Sequence, residues 1–142
     1  MGGENLHPFY FLSSYLFLKI LNFISKPMLK IYFKSNCATC QTTLKLLKQN
    51  TKEKIELFEY LVTMPTQKDI REVLKMLGLK AEDIVRKKEH LYKEKYEGKK
   101  ISNAEWIKIL SENPILIERP ILIKDGKAII GRPIERVLDI LK

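Results

Sequence analysis

The stretch Leu29-Lys30-Ile31-Tyr32-Phe33-Lys34-Ser35-Asn36-Cys37-Ala38-Thr39-Cys40 decides the fold. Its first five residues form a short apolar and aromatic run that reads as a strand, and Lys34-Ser35-Asn36 reads as a polar turn. Cys37-Ala38-Thr39-Cys40 then opens a helix whose apolar side is supplied by Leu44, Leu46 and Leu47. A cysteine at a helix start faces unpaired backbone N–H groups and the positive end of the helix dipole, both of which favour thiolate over thiol. Cys37 is therefore the expected nucleophile. Cys40, one turn deeper, is placed to attack a disulfide or adduct formed on Cys37 and is the expected resolving thiol.

Outward from this motif the chain alternates between strand and helix patterns. Ile55-Glu56-Leu57-Phe58-Glu59-Tyr60-Leu61 reads as a second strand, which a right-handed helical crossover sets parallel to the first. Thr66 reads as the cap of a helix with Ile70, Val73, Leu74 and Leu77 on one face, stopped by Gly78. A shorter helix is expected from Ala81 toward Lys88, and an exposed loop from Lys93 to Lys100. Ser102 with Glu105 makes a capping box for a helix carrying Trp106, Ile107, Ile109 and Leu110. Residues 120–124 and 127–130 flank Asp125-Gly126, which favours a type I′ hairpin turn. A final helix starts with Pro133 at its first position and shows Ile134, Val137, Leu138 and Leu141 on one face. The order defines an α/β chain, a thioredoxin-like fold with a helical insertion between the second and third strands.

Composition excludes several other classes. The 142 residues hold 26 Lys and Arg against 17 Asp and Glu, a net charge of +9, with 45% hydrophobic residues. That suits one folded domain and neither a disordered nor a collagen-like chain. Two cysteines cannot build a disulfide-dense scaffold. A zinc site is disfavoured because it wants four ligands and only His7 and His90 could join the cysteine pair. Of the basic residues 21 are lysines, and Lys45, Lys48, Lys52 and Lys54 read as a solvated helix face and its flank rather than a nucleic-acid patch, since no aromatic residues interleave them. The five arginines, Arg71, Arg86, Arg119, Arg132 and Arg136, offer rigid forks of donors suited to oxyanions.

The first 27 residues differ from the rest. Leu6 to Ser25 is almost wholly apolar and aromatic, about the ~20 residues a spanning helix needs. It has neither the basic start nor the small-residue cleavage site of a secretory signal, and Lys19 interrupts it. Three readings stay open: a loosely attached helical extension, an upstream extension before a natural start at Met28, or an anchor giving weak membrane association. In the last, Lys26, Lys30 and Lys34 would keep residues 28–142 in the cytoplasm.

The segment from Ile31 to Thr43, Ile84-Val85-Arg86-Lys87-Lys88, Asn113-Pro114-Ile115-Leu116-Ile117-Glu118-Arg119-Pro120-Ile121, and Gly131-Arg132-Pro133 through Leu141 together resemble the arsenate reductase family of the glutaredoxin-coupled type. That family also holds Spx-type transcriptional regulators. The resemblance covers residues 28–142. It implies that Cys37 attacks an oxyanion or disulfide substrate, that Arg86, Arg119 and Arg132 bind the substrate's charge, and that Arg119-Pro120 is a cis-proline site beside the reactive cysteine. No bound cofactor or metal is implied; Cys40, glutathione, glutaredoxin or thioredoxin would be the reductant, and the cytoplasm the location. The chain departs from the pattern of arsenate-competent members at Phe33-Lys34-Ser35-Asn36, where they carry a histidine and Asn-Pro, and at Gln41, where an arginine is usual. Cys40 resembles instead the redox switch of the Spx branch, so the alternative is a redox-sensing regulator docking on RNA polymerase. Spx-type regulators typically lack the arginine matching Arg132, which favours the enzyme.

Overall fold

A computed structural model describes residues 14–20 and 29–142. Four strands form one mixed sheet: β1 (Leu29–Phe33), β2 (Ile55–Glu59), β3 (Ile121–Lys124) and β4 (Lys127–Ile130), in the order β2-β1-β3-β4. β1 pairs parallel with β2, with Ile31 opposite Leu57, and antiparallel with β3, with Ile31 opposite Leu122. The β3–β4 hairpin turns at Asp125 and Gly126, whose φ angles of 51° and 73° are both positive, as the Asp-Gly pair favours.

The alternation of side chains along β1 divides the core into two layers. Leu29, Ile31 and Phe33 lie on one face with Cys40 and Leu47 of α1 (Ala38–Asn50), Leu122 of β3, and Val137 and Ile140 of the C-terminal helix. Tyr32 points the opposite way, into a cluster with Tyr60, Ile70, Trp106, Leu110 and Ile121. The second layer is built from the insertion, which comprises α2 (Gln67–Leu77), a 3-10 turn (Ala81–Ile84), α3 (His90–Lys95) and α4 (Asn103–Glu112). The expected capping box of Ser102 with Glu105 opens α4, and the expected cap Thr66 opens α2 in a second capping box, with Asp69. Gly78 ends α2 in the left-handed conformation at φ 67°.

Four local expectations are corrected. The strand reading to Leu61 is too long, because β2 ends at Glu59 and the Val62 and Thr63 amides turn back to the Glu59 carbonyl. The helix from Ala81 stops at Ile84 because Val85 leaves it to bridge Ile117 antiparallel, with Arg86 N–H donating to the Leu116 carbonyl at 2.7 Å and Glu118 N–H to the Ile84 carbonyl at 2.8 Å. Part of the expected loop at Lys93 to Lys100 is the end of α3, which Tyr92 and Tyr96 hold against Trp106 with ring centroids 6.3 and 5.5 Å apart. The last helix, Ile134–Leu141, is of the 3-10 type, and Pro133 precedes it as its cap rather than occupying its first turn.

The apolar N-terminal stretch lies outside the described residues except at 14–20, which are helical and exposed. Among the described residues no helix is long and apolar enough to cross a membrane.

Candidate functional site

Cys37 sits at the N-cap of α1, with extended backbone angles of φ −105° and ψ 115°, and Cys40 follows inside the first turn. Neither is in a disulfide; Cys37 is half-buried and Cys40 has no exposure at all. One turn separates an accessible sulfur from a hidden one. Burial works against ionising Cys37, yet the Cys40 amide, the Cys40 thiol and the Arg119 guanidinium outweigh it and bring the thiol from 9.0 down to about 7. Cys40 shifts the other way, to about 11, through burial first and then its contact with Cys37. The pair therefore has a polarity: the outer sulfur carries the negative charge and the inner one keeps the proton.

Arg119 is only 7% exposed. Its Nη1 donates to the Tyr60 hydroxyl at 3.4 Å, and that hydroxyl donates to the Ile117 carbonyl at 3.3 Å. Its Nε is buried without a hydrogen-bond partner among the described residues. A buried cation with an unused donor is an electrostatic asset only where an anion can reach it. Burial opposes the charge on Arg119, but Tyr60 and Cys37 beside it hold its proton more firmly.

The peptide bond from Arg119 to Pro120 is cis, as is that from Arg132 to Pro133. Arg132 Nε donates to the Arg119 carbonyl at 2.7 Å, and Gly131 N–H donates to the Pro120 carbonyl at 2.9 Å, so the end of β4 is tied to the residues ahead of β3. The bridge between Val85 and Ile117 brings in Arg86, whose Nε contacts Glu89 at 2.9 Å and whose Nη1 lies 3.8 Å from Glu118. Arg86, Arg132 and Glu118, with Glu82, Asp83, Val85, Lys87 and Lys88, line a cleft of about 720 Å³. Three arginines far apart in the chain are thus linked: Arg119 to Cys37 by its charge, Arg132 to Arg119 through the backbone, and Arg86 to Arg132 through Glu118. The cleft walls do not include Cys37 or Arg119.

Arg71 and Arg136 stay out of this arrangement. Arg71 bonds Gln67 on the exposed face of α2, and Arg136 lies exposed on the last helix. Lys45, Lys48, Lys52 and Lys54 are all exposed. Among the described residues no group of three or more His, Cys, Asp or Glu side chains could hold a metal ion. Sequence reasoning missed Tyr60, Glu89 and Glu118 as members of the site. Tyr60 carries one legible signal, a polar aromatic residue at the end of a strand otherwise built to be buried; the two glutamates carry none, because each acquires its partner from folding.

Fold and site together define a thioredoxin-like protein with a thiol pair at the start of its first sheet-packed helix. Residues 32–140 match the model of the ArsC family, and the chain belongs to that family. It is 42% identical over 114 residues to the uncharacterized protein YfgD of Escherichia coli (strain K12), covering 79% of this chain and 95% of that one. It is 39% identical over 114 residues to the arsenate reductase of Haemophilus influenzae, covering 78% and 97%. Among solved structures it is similar to an arsenate reductase from Vibrio cholerae, with a TM-score of 0.75, 34% identity, and 80% and 98% of the two chains covered.

Proposed function

We propose that the protein is a thiol-dependent oxidoreductase acting on arsenate or a related oxyanion, with Cys37 as nucleophile. The observation that carries this reading is the placement of an accessible, acidified thiol at a helix start beside a buried arginine with an unused donor. Helix amides and guanidinium groups lower the repulsion between a thiolate and an anionic substrate and stabilise the charge that builds as they meet. The names of the Haemophilus and Vibrio relatives support arsenate as the first substrate to test.

In the first step the Cys37 thiolate forms a sulfur–arsenic bond and one arsenate oxygen departs as water after protonation. A second thiolate then attacks the Cys37 sulfur. The sulfur–sulfur bond forms as the sulfur–arsenic bond breaks, its electron pair passes to arsenic, and arsenite leaves. Two thiols are oxidised to one disulfide while arsenic(V) becomes arsenic(III). The second thiol is Cys40 or glutathione, and glutaredoxin or thioredoxin reduces the resulting disulfide. Such chemistry belongs to the cytoplasm, where these thiols are kept reduced. Arg86, Arg119 and Arg132 bind the oxyanion's charge, and the cis peptide at Pro120 presents the Arg119 backbone beside the site.

Arsenite release tests the proposal, measured with glutathione plus glutaredoxin and separately with thioredoxin. Wild type is expected to turn over with at least one donor. Cys37→Ser is expected to be inactive with both, and Arg132→Ala to lose most activity. Wild type without turnover, whose Cys37–Cys40 disulfide instead alters association with RNA polymerase, would overturn the enzyme reading in favour of the regulator.

A further inference from the structure

The cleft lined by Arg86 and Arg132 contains its own anion. A single oxygen, Oε2 of Glu118, lies 3.8 Å from Arg86 Nη1 and 4.0 Å from Arg132 Nε, between two of the guanidinium groups assigned above to substrate binding. The position is set by the backbone: Glu118 N–H is bonded to the Ile84 carbonyl, and the adjacent Val85–Ile117 bridge holds Arg86 across from it. The side chain is about one quarter exposed, so water screens the pair only in part. Neither separation is a hydrogen bond, and both are too long for the bidentate clamp that arginine and carboxylate make when matched. Glu89 differs, since its 2.9 Å contact with Arg86 Nε is a true charge-assisted hydrogen bond.

We propose that Glu118 is a specificity-determining residue of this site. Its carboxylate occupies the positive field between Arg86 and Arg132 loosely enough to be displaced, and it repels an incoming anion in proportion to that anion's charge. The inference rests on the anion-binding reading of the site and adds a selector to it. With Glu89 and Glu118 in place, Arg86 and Arg132 present a much smaller net positive charge than their number suggests. The cleft thereby favours substrates that bring little negative charge, or that bring a group able to replace the carboxylate.

Titration with inorganic sulfate and with nitrate at constant ionic strength tests this, following heat or amide chemical shifts. Removing one negative charge a few ångströms from the anion should tighten sulfate binding roughly ten-fold in Glu118→Gln. The repulsive energy scales with anion charge, so nitrate should gain only about three-fold in the same variant. Glu118→Ala, which removes the carboxylate by another route, should show the same gains, and Glu118→Asp should keep wild-type discrimination in direction. Adding Arg132→Ala to Glu118→Gln should abolish the gain. If both charge-removing variants bind sulfate within two-fold of wild type while Arg132→Ala weakens it, the selector role is overturned and the anion site stands. If neither wild type nor the variants bind either anion, the anion site itself is overturned and the selector with it.

Discussion

The Arg119 guanidinium is held by the Tyr60 hydroxyl at 3.4 Å, across 59 residues of chain. Because that hydroxyl spends its proton on the Ile117 carbonyl, it turns a lone pair toward Arg119. Tyr60 is itself fixed by full burial and by a stack with Tyr32, ring centroids 5.8 Å apart. A rigid aromatic ring thus orients the cation that helps acidify Cys37.

Tyr60→Phe should keep the ring packing and remove the hydroxyl. It leaves the Ile117 carbonyl and the Arg119 Nη1 donor short of a partner, which should cost about 1–3 kcal/mol in urea unfolding. The alkylation profile of Cys37 should move to higher pH as the guanidinium loses its anchor. An unchanged profile in a folded variant would show that Arg119 is positioned without Tyr60.

Iodoacetamide should modify native wild type at Cys37 with a rate that rises with pH and reaches its midpoint at about 7. Cys40 should stay unmodified until the protein unfolds, because it is buried and its thiol is pushed up to about 11. The linkage has opposite signs for the two sulfurs. Cys37 has a lowered folded pKa, so its contribution to stability is present above the unfolded value of 9.0 and is lost as pH falls toward about 7. Cys40 has a raised one, so stability declines as pH climbs from 9.0 toward about 11. Mass spectrometry of modified peptides across pH checks the assignment, and equal reactivity of the two thiols would refute it.

Gly131→Ala should damage both fold and site. A Cβ there would stand 2.9 Å from Pro120 Cγ, 3.1 Å from Leu122 Cδ1 and 3.2 Å from Val137 Cγ2, all on buried side chains. The crowding should cost about 1–3 kcal/mol in thermal or urea unfolding. It should also slow Cys37 alkylation, since Pro120 follows Arg119. A variant as stable and reactive as wild type would show that the β4 end yields freely.

Trp106→Ala should unseat the insertion. Trp106 is 2% exposed and carries the rings of Tyr92 and Tyr96, so its loss should cost about 3–5 kcal/mol. Near-ultraviolet circular dichroism and urea unfolding would register it. Because the insertion also delivers Arg86, sulfate affinity should fall even where the sheet survives.

Much of the architecture is legible along the chain because its signals are local. The alternation at Leu29–Phe33, the caps at Thr66 and Ser102, the stop at Gly78 and the turn at Asp125-Gly126 each act within a few residues. The pattern misleads at Val85 and at α3 because there the deciding partner is distant: Ile117 in one case and Trp106 in the other. A charged segment such as Lys93 to Lys100 looks like loop until Tyr92 and Tyr96 find an aromatic surface to cover.

By itself the sequence determined the order of elements and the cysteine pair at a helix start, since periodicity, capping and turn chemistry operate between near neighbours. Only tertiary structure decided which sulfur is hidden, that Tyr60 holds Arg119, and that Glu118 stands between Arg86 and Arg132. Burial and charge are sums over everything nearby in space, and chain order does not reveal what will be nearby.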